Sequence, residues 1–214
     1  MSQLKLDANK VTETLRDLDV STSNRAIYHA LVGHAYIQEI AGELGLPLPP
    51  SYRLICVTTR LGGDKLEIAL VNDYTSEVAY YNQLSIVHHE ILKFRPATQQ
   101  RIWRSFNHKH KAALRDLPSA VLFSYILARY DVLLSDNIQT GEGMHFWKAW
   151  MSEALYRKLY VYHYQPMTYE LLQIRTDAEL ADLSDQIWGS TQSYQRQLAI
   201  IACKPLPRSI QVSI

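Results

Sequence analysis

Residues 132–147 have the sequence Val-Leu-Leu-Ser-Asp-Asn-Ile-Gln-Thr-Gly-Glu-Gly-Met-His-Phe-Trp. A short apolar run ends in Ser135-Asp136-Asn137 and is followed by a polar turn and an amphipathic segment. This pattern predicts a strand that leads into a helix, with polar side chains at the carboxyl end of the strand. Open α/β sheets bind ligands at such strand ends, because neighbouring strands diverge there and helix amino ends point inward. We therefore expect a functional site at this strand end.

The segments on either side of this stretch alternate between helix and strand patterns. Pro118 suits the first turn of a buried helix that precedes Val132, with Asp116 nearby as a cap. Beyond the stretch, the pattern predicts a helix over roughly 141–158, a strand over 160–164, a polar helix or loop over 178–188 and a last strand over 196–203.

The amino-terminal part begins with a helix pattern and continues with strands. Ser21–Asn24 predicts a capped helix start, apolar residues recur at helical spacing as far as Leu44, and Gly45 ends the pattern. A meander of three or four strands is predicted over residues 54–59, 66–71, 78–94 and 99–106.

Hairpins in the first half, followed by helix–strand–helix–strand, predict an α+β fold. The expected sheet is mixed and mostly antiparallel, with helices on both faces. Residues 1–50 are predicted to form an N-terminal helical segment and residues 51–214 the main domain, as one compact unit overall. A chain of 214 residues can bury a sizeable core.

Composition and charge limit the classes of function. Hydrophobic residues make up 47% and charged residues 20%, which is typical of a folded chain and not of a disordered one. The formal net charge of +1 gives no overall attraction to nucleic acid or to a membrane surface. Cys56 and Cys203 lie in apolar surroundings and are predicted to be buried free thiols in a reducing compartment. With no signal-peptide pattern and no membrane-length apolar run, a cytoplasmic protein is expected.

The order of elements resembles that of the GNAT superfamily of acyltransferases, in which a strand meander is followed by a helix, a strand, a second helix and a final strand pair. In that family an Asn after the penultimate strand is often followed by an aromatic residue on the helix, as Asn137 and Phe146-Trp147 are here. Residues 134–147 also resemble a motif of phage-encoded GNAT-like proteins. The resemblance covers roughly residues 52–204. It implies a GNAT-like sheet, acyl-CoA as cofactor and, for a phage protein, the host cytoplasm as location.

One part of the family pattern is missing. GNAT enzymes carry Gln/Arg-x-x-Gly-x-Gly/Ala where the fourth strand meets its helix, so that backbone amides hold the coenzyme A pyrophosphate. The corresponding residues 107–116 contain no glycine, and Gln139–Gly143 lies one strand too late with a spacing one residue short. Either acyl-CoA binding has been lost or side chains of the basic loop hold the phosphates. The candidates for this role are Lys109, Lys111 and Arg115.

Polar residues after Leu134 form the first candidate site. Ser135, Gln139 and Thr140 could position a substrate, and Asp136 could act as a base or as a hydrogen-bond acceptor. Alternatively, Ser135 and Asp136 cap backbone amides and Thr140 caps the following helix.

The sequence His88-His89-Glu90 forms a second candidate site, because it interrupts an apolar run. Strand alternation places His88 and Glu90 on one face. GNAT enzymes often use a glutamate as general base, so the resemblance makes Glu90 the first choice for that role. The pair could equally be a structural hydrogen bond. No metal site is predicted, because two ligands do not fill a zinc site and the His108–His110 spacing is a weak signal.

Residues 93–115 carry several Lys and Arg residues and no acidic residue. This segment could bind the phosphates of coenzyme A or of nucleic acid, or it could be a solvated loop. The near-zero net charge makes nucleic acid the disfavoured partner.

Two functions follow from these patterns. The first is transfer of an acyl group from acyl-CoA to an amine of a protein or small molecule. The alternative is a non-catalytic phage-encoded protein that binds a host protein through a GNAT-like scaffold. The missing glycines favour the second function, whereas the polar strand end favours the first.

Overall fold

The structure is a computed structural model that describes residues 15–88, 92, 95–134, 141–165, 168, 170–188 and 198–206, with the backbone alone described for 141–146 and 184–188. In this part of the chain the strands are β1 (Ile37–Glu39), β2 (Tyr52–Thr58), β3 (Lys65–Asn72), β4 (Glu77–Val87), β5 (Ala97–Arg104), β6 (Asp131–Leu134), β7 (Tyr160–Gln165), β8 (Glu170–Ile174) and β9 (Leu198–Ala202). The α-helices are α1 (Ser21–Val32), α2 (Lys111–Leu114), α3 (Leu117–Ala120), α4 (Leu127–Arg129), α5 (Gly141–Tyr156) and α6 (Asp177–Trp188). A 3-10 turn (His108–His110) precedes α2, and a π-helical turn (Val121–Ile126) joins α3 to α4.

The described strands form a nine-stranded sheet in the order β1-β2-β3-β4-β5-β6-β9-β7-β8. The pair β5/β6 is parallel, through Ala97 opposite Asp131 and Thr98 opposite Val132. Antiparallel registers join β1/β2, β2/β3, β3/β4, β6/β9, β7/β8 and β7/β9. The prediction of an α+β fold with a mixed, mostly antiparallel sheet is therefore confirmed.

The chain divides into two compact units. The first unit consists of Met1–Ile86 and Gln100–Tyr125, and the second of Val87–Gln99 and Ile126–Ile214. Each unit has a cluster of buried apolar side chains of its own.

In the first unit, α1 packs against one face of the meander. Leu18, Tyr28 and Leu31 contact a cluster that includes Val57 of β2 and Tyr81 of β4. Alternate residues along these strands point to this face. The residues between them are also buried: Leu54, Leu70 and Tyr80 all have 0% exposed surface, so both faces of this part of the sheet are covered.

The start of α1 differs from the expected cap. Val20 precedes the helix and provides no side-chain cap. Asn24, the last residue of the stretch Ser21–Asn24 in which the cap was predicted, is buried and joins the helix to β4. Its side-chain amide donates to the carbonyls of Leu18 and Val78 at 3.0 Å, and its carbonyl accepts from the Val78 amide at 2.8 Å. The side chain satisfies distant backbone groups of β4 and not the free amides of its own helix.

The predicted end of this helix was wrong. The helix ends at Val32, and Ile37–Glu39 forms an edge strand that pairs with β2. Ile40 follows this strand with 0% exposure, and its amide donates to the Leu54 carbonyl. The apolar residues that repeat at helical spacing up to Leu44 therefore include side chains that the strand and its turn bury. Spacing alone could not distinguish these two structures.

In the second unit, β6, β7 and β9 supply the core. Tyr162 and Tyr164 of β7 and Ile200 of β9 belong to one apolar cluster, so these two tyrosines pack in the core of this unit. Neither Cys56 nor Cys203 forms a disulfide bond. Cys56 is buried, as predicted, but Cys203 is only half-buried, because it lies just beyond the end of β9 and its thiol donates to the Leu127 carbonyl. Among the described helices, none is both long enough and apolar enough to cross a membrane.

Candidate functional site

The first predicted site continues beyond the described end of β6. Ser135, Asp136, Gln139 and Thr140 lie outside the described residues. The strand that leads to them is as expected: Leu134 is buried and lies opposite Ala199 of β9. The assignment of these four polar side chains to substrate binding and catalysis stays a prediction.

The second predicted site is only partly described. Glu90 lies outside the described residues, whereas His88 is exposed and follows the last residue of β4, Val87. The expectation that His88 and Glu90 share one strand face assumed that this strand continues through both. Since the strand ends before His88, the alternation of side chains along a strand gives no reason to place His88 and Glu90 on the same face. Their catalytic roles stay predictions.

The basic segment after β5 belongs to the first unit. Asn107 accepts a hydrogen bond from the Lys109 amide and so caps the 3-10 turn. Lys111 and Arg115 are exposed, and neither has an ion-pair partner among the described residues. Lys109 differs, because its ammonium lies 2.6 Å from the Glu77 carboxylate. Its charge is already neutralised, so Lys111 and Arg115 are the cations available for an anionic ligand.

The imidazole of His110 holds this segment against the sheet. The His110 residue is 2% exposed, its Nδ1 lies 2.8 Å from the Tyr52 hydroxyl of β2, and its Nε2 lies 3.6 Å from the Glu77 carboxylate of β4. The neutral tautomer with its proton on Nε2 suits both neighbours, because Tyr52 then donates to Nδ1 and the Nε2 proton faces a carboxylate. His110 and Lys109, from one turn, therefore contact β2 through Tyr52 and β4 through Glu77.

Burial and the local charges set the protonation states here. Burial lowers the pKa of His110 below its ordinary value, and the Lys109 charge lowers it further, against an opposite effect of Glu77. Burial raises the pKa of Glu77, but bonds from Lys109 and Thr75 outweigh this and bring it below the ordinary value. A neutral imidazole beside an ionised carboxylate is the resulting state. It holds the backbone of the segment and leaves Lys111 and Arg115 facing solvent.

A second polar cluster lies on the face of the first unit that α1 covers. The Glu67 side chain is 1% exposed, and its carboxylate accepts hydrogen bonds from the Tyr81 hydroxyl at 2.6 Å and from Arg60 Nε at 2.7 Å. A further bond from the Arg60 guanidinium makes the ion pair bidentate. Burial, reinforced by Glu67, raises the pKa of Tyr81. The Glu67 carboxylate is thus bound by both Arg60 and Tyr81, so this cluster links β3 to β4 and to the residue Arg60 that follows β2.

Sequence patterns did not identify these two clusters. Tyr52 and His110 are separated by 58 positions, and Glu67 and Tyr81 by 14. Only the strand registers bring such residues together. The sequence signal for such a cluster was Glu67, an acidic residue at an otherwise apolar strand position. A carboxylate buried there needs a cation or hydroxyl partner.

The described residues contain no group of three or more His, Cys, Asp or Glu side chains that could hold a metal ion. Comparison of the chain with protein-family models found no match, and comparison with curated proteins found none either.

Proposed function

We propose that this protein is an acyltransferase of the GNAT type, which transfers an acyl group from acyl-CoA to an amine of a protein or small molecule. The observation that supports the proposal is the order of the elements. The antiparallel strands β1–β4 lead into β5, a helical segment from Leu117 to Arg129 and the parallel strand β6, followed by α5 and β7. This is the order expected from the family resemblance. Here β7 and β9 form the final strand pair, with β8 and α6 inserted between them in the chain.

The basic segment supports the proposal at the position where the family holds the coenzyme A pyrophosphate. Residues 107–116 connect β5 to the helical segment that leads to β6. Without glycines the backbone cannot approach a pyrophosphate closely, so charged side chains are the remaining means of holding it. We assign this role mainly to Lys111 and Arg115. Lys109 could join them only by leaving Glu77.

In the proposed reaction, Glu90, Asp136 or His88 removes a proton from the acceptor ammonium, and backbone N–H groups polarise the thioester carbonyl. Acyl-CoA supplies the thioester, whose C–S bond breaks as the C–N bond to the amine forms. The proton held by the base passes to the leaving thiolate, and the nitrogen releases its second proton to solvent as the amide forms.

Calorimetric titration of acetyl-CoA into the full chain tests this proposal. Charge-assisted contacts contribute about 1.5–3 kcal/mol each, so the double substitution Lys111→Ala/Arg115→Ala should weaken binding by ~3–6 kcal/mol, which is at least ~100-fold in Kd. Lys109→Ala should have a much smaller effect, because Glu77 already neutralises that ammonium.

The matched control is Arg16→Ala/Arg25→Ala, which removes the same charge from two exposed positions of the first unit. Its affinity should equal that of the wild type at fixed salt. Equal weakening by both double substitutions would mean that only net charge matters. No heat from any protein at millimolar acetyl-CoA would reject acyl-CoA binding and favour the alternative, a host-protein-binding role for the scaffold.

A further inference from the structure

Arg101 of β5 lies on the same face of the first unit as the Arg60–Glu67–Tyr81 cluster. Trp103, two residues further along the strand, packs against the apolar cluster that contains Tyr81. Because side chains alternate along a strand, Arg101 points to that face as well. The residue is half-buried.

The guanidinium of Arg101 has no counter-ion in the described part of the chain. Its Nη1 is buried and has no hydrogen-bond partner among the described residues, and no described carboxylate forms an ion pair with it. Glu67, the buried acid of this face, is held by Arg60 and Tyr81. Burial accordingly lowers the pKa of Arg101, with no acid to offset the effect. An unpaired charge in such a place is costly, which is the expected situation at a site built for an anion.

We propose that Arg101 binds the carboxylate of a monoanionic ligand. If the protein is the acyltransferase proposed above, this ligand is an amine acceptor that carries a carboxylate. Arginine suits such a group because its planar guanidinium can donate two parallel hydrogen bonds to the two carboxylate oxygens.

The charges on this face favour a carboxylate over a phosphate. Arg60 and Glu67 neutralise each other through their bidentate ion pair, and Asp19 accepts a hydrogen bond from the Trp103 indole but forms no ion pair with Arg101. The guanidinium of Arg101 therefore carries one positive charge without an ion-pair partner among the described residues. A single carboxylate balances that charge. A phosphate dianion would bring an excess negative charge into a half-buried place, which is unfavourable where water is partly excluded.

Titration of the full chain with sodium acetate, observed on the Nε–Hε resonances of its arginine side chains, tests this assignment without acyl transfer. The control residue is Arg104, which is exposed and lies on the same strand. Acetate should shift the Arg101 resonance saturably and leave that of Arg104 unchanged, relative to sodium chloride at equal ionic strength. Arg101→Lys identifies the signal. Equal shifts at both arginines, or a larger shift of Arg101 with inorganic phosphate than with acetate, would overturn the proposal.

Thermal unfolding of ligand-free variants is an independent test. Arg101→Met removes an unpaired charge and keeps most of the side-chain length, so it should raise the unfolding midpoint, whereas Arg104→Met should leave it unchanged. A decrease for Arg101→Met comparable to that of Arg60→Met, which breaks an ion pair, would mean that Arg101 has an internal partner and would overturn the proposal.

The link to acyl transfer is tested with a matched pair of acceptors, 4-aminobutyrate and butylamine, in the presence of acetyl-CoA. The wild type should prefer 4-aminobutyrate in kcat/KM, and Arg101→Gln should reduce that preference by about 10- to 100-fold while Arg104→Gln keeps it. An unchanged preference in Arg101→Gln would overturn the acceptor assignment. If neither amine is acetylated and acetyl-CoA does not bind, the proposed function fails, and the acetate titration still decides the role of Arg101.

Discussion

Replacing Arg60 with methionine leaves the Glu67 carboxylate buried without its counter-ion. Glu67 is 1% exposed, so water cannot solvate the carboxylate, and Tyr81 supplies only one hydrogen bond. The substitution keeps most of the apolar length of the arginine side chain. The loss of stability therefore measures the cost of a buried unpaired charge and not the loss of packing.

The burial of the two partners sets the expected magnitude. Breaking a buried ion pair by removing one partner costs about 3–5 kcal/mol. The Arg60 side chain is 21% exposed, so part of its charge remains solvated and we expect the lower end of that range, about 3 kcal/mol. This is a large fraction of the ~5–15 kcal/mol that stabilises an ordinary folded domain.

Urea unfolding of the full chain measures the effect, with Arg53→Met as the matched control. Arg53 also forms a close ion pair, at 2.6 Å to Asp73, but the two side chains are 33% and 36% exposed. Exposed pairs contribute about 0–1 kcal/mol, so the control should lose far less stability than Arg60→Met.

A double-substitution cycle separates the ion pair from other effects. Arg60→Met combined with Glu67→Gln removes both charges and keeps an acceptor for Tyr81, so it should be more stable than Arg60→Met alone. Equal losses for Arg60→Met and Arg53→Met, or no recovery in the double variant, would refute the argument that burial makes the Glu67 charge costly.

Three further predictions concern stability and reactivity. The pKa of His110 is lower in the folded state than in the unfolded chain, so as the pH falls the unfolded chain is protonated at this residue before the folded protein. The contribution of neutral His110 to the free energy of unfolding is therefore fully present above about pH 6.5 and decreases below that pH. His110→Gln should reduce this fall in urea unfolding between about pH 7 and 5, and an unchanged slope would contradict the assignment. Asn24→Leu should cost about 2–3 kcal/mol in urea unfolding, because the buried Val78 amide loses its acceptor, and a loss no larger than that of the exposed control Thr22→Ala would contradict this. Cys203 should react with a thiol reagent before Cys56, since only Cys56 is fully buried, and equal rates would show that the burial difference is not maintained in solution.

The sequence predicted those helices and strands whose own consecutive residues show a clear apolar pattern. Runs of apolar and β-branched residues identified β2 and β3, and the tyrosine-rich run identified β7, because most residues of these strands are buried. The pattern also predicted α5, which ends at Tyr156. The edge strand β1 was missed, because three residues between a helix and a turn give too little alternation to be recognised.

Of the candidate site, the sequence predicted the basic segment, because its positive residues are close together in the chain. A run of cations without acids marked the segment of Lys111 and Arg115 correctly as basic, but nothing in the run indicated that Lys109 is paired with Glu77. The bond between His110 and Tyr52 depends on a separation of 58 positions and on the sheet that brings them together. Such contacts follow from strand register, which a single sequence does not specify.

Acyl-CoA binding is tested most directly by the unfolding midpoint of the full chain, measured against acetyl-CoA concentration. A ligand that binds only the folded state stabilises it by RT ln(1 + [L]/Kd), about 2.7 kcal/mol at a hundredfold excess over Kd. The midpoint should rise steadily with acetyl-CoA and with free coenzyme A, and it should rise less in Lys111→Ala/Arg115→Ala. A midpoint that stays constant up to millimolar acetyl-CoA would contradict the proposed function.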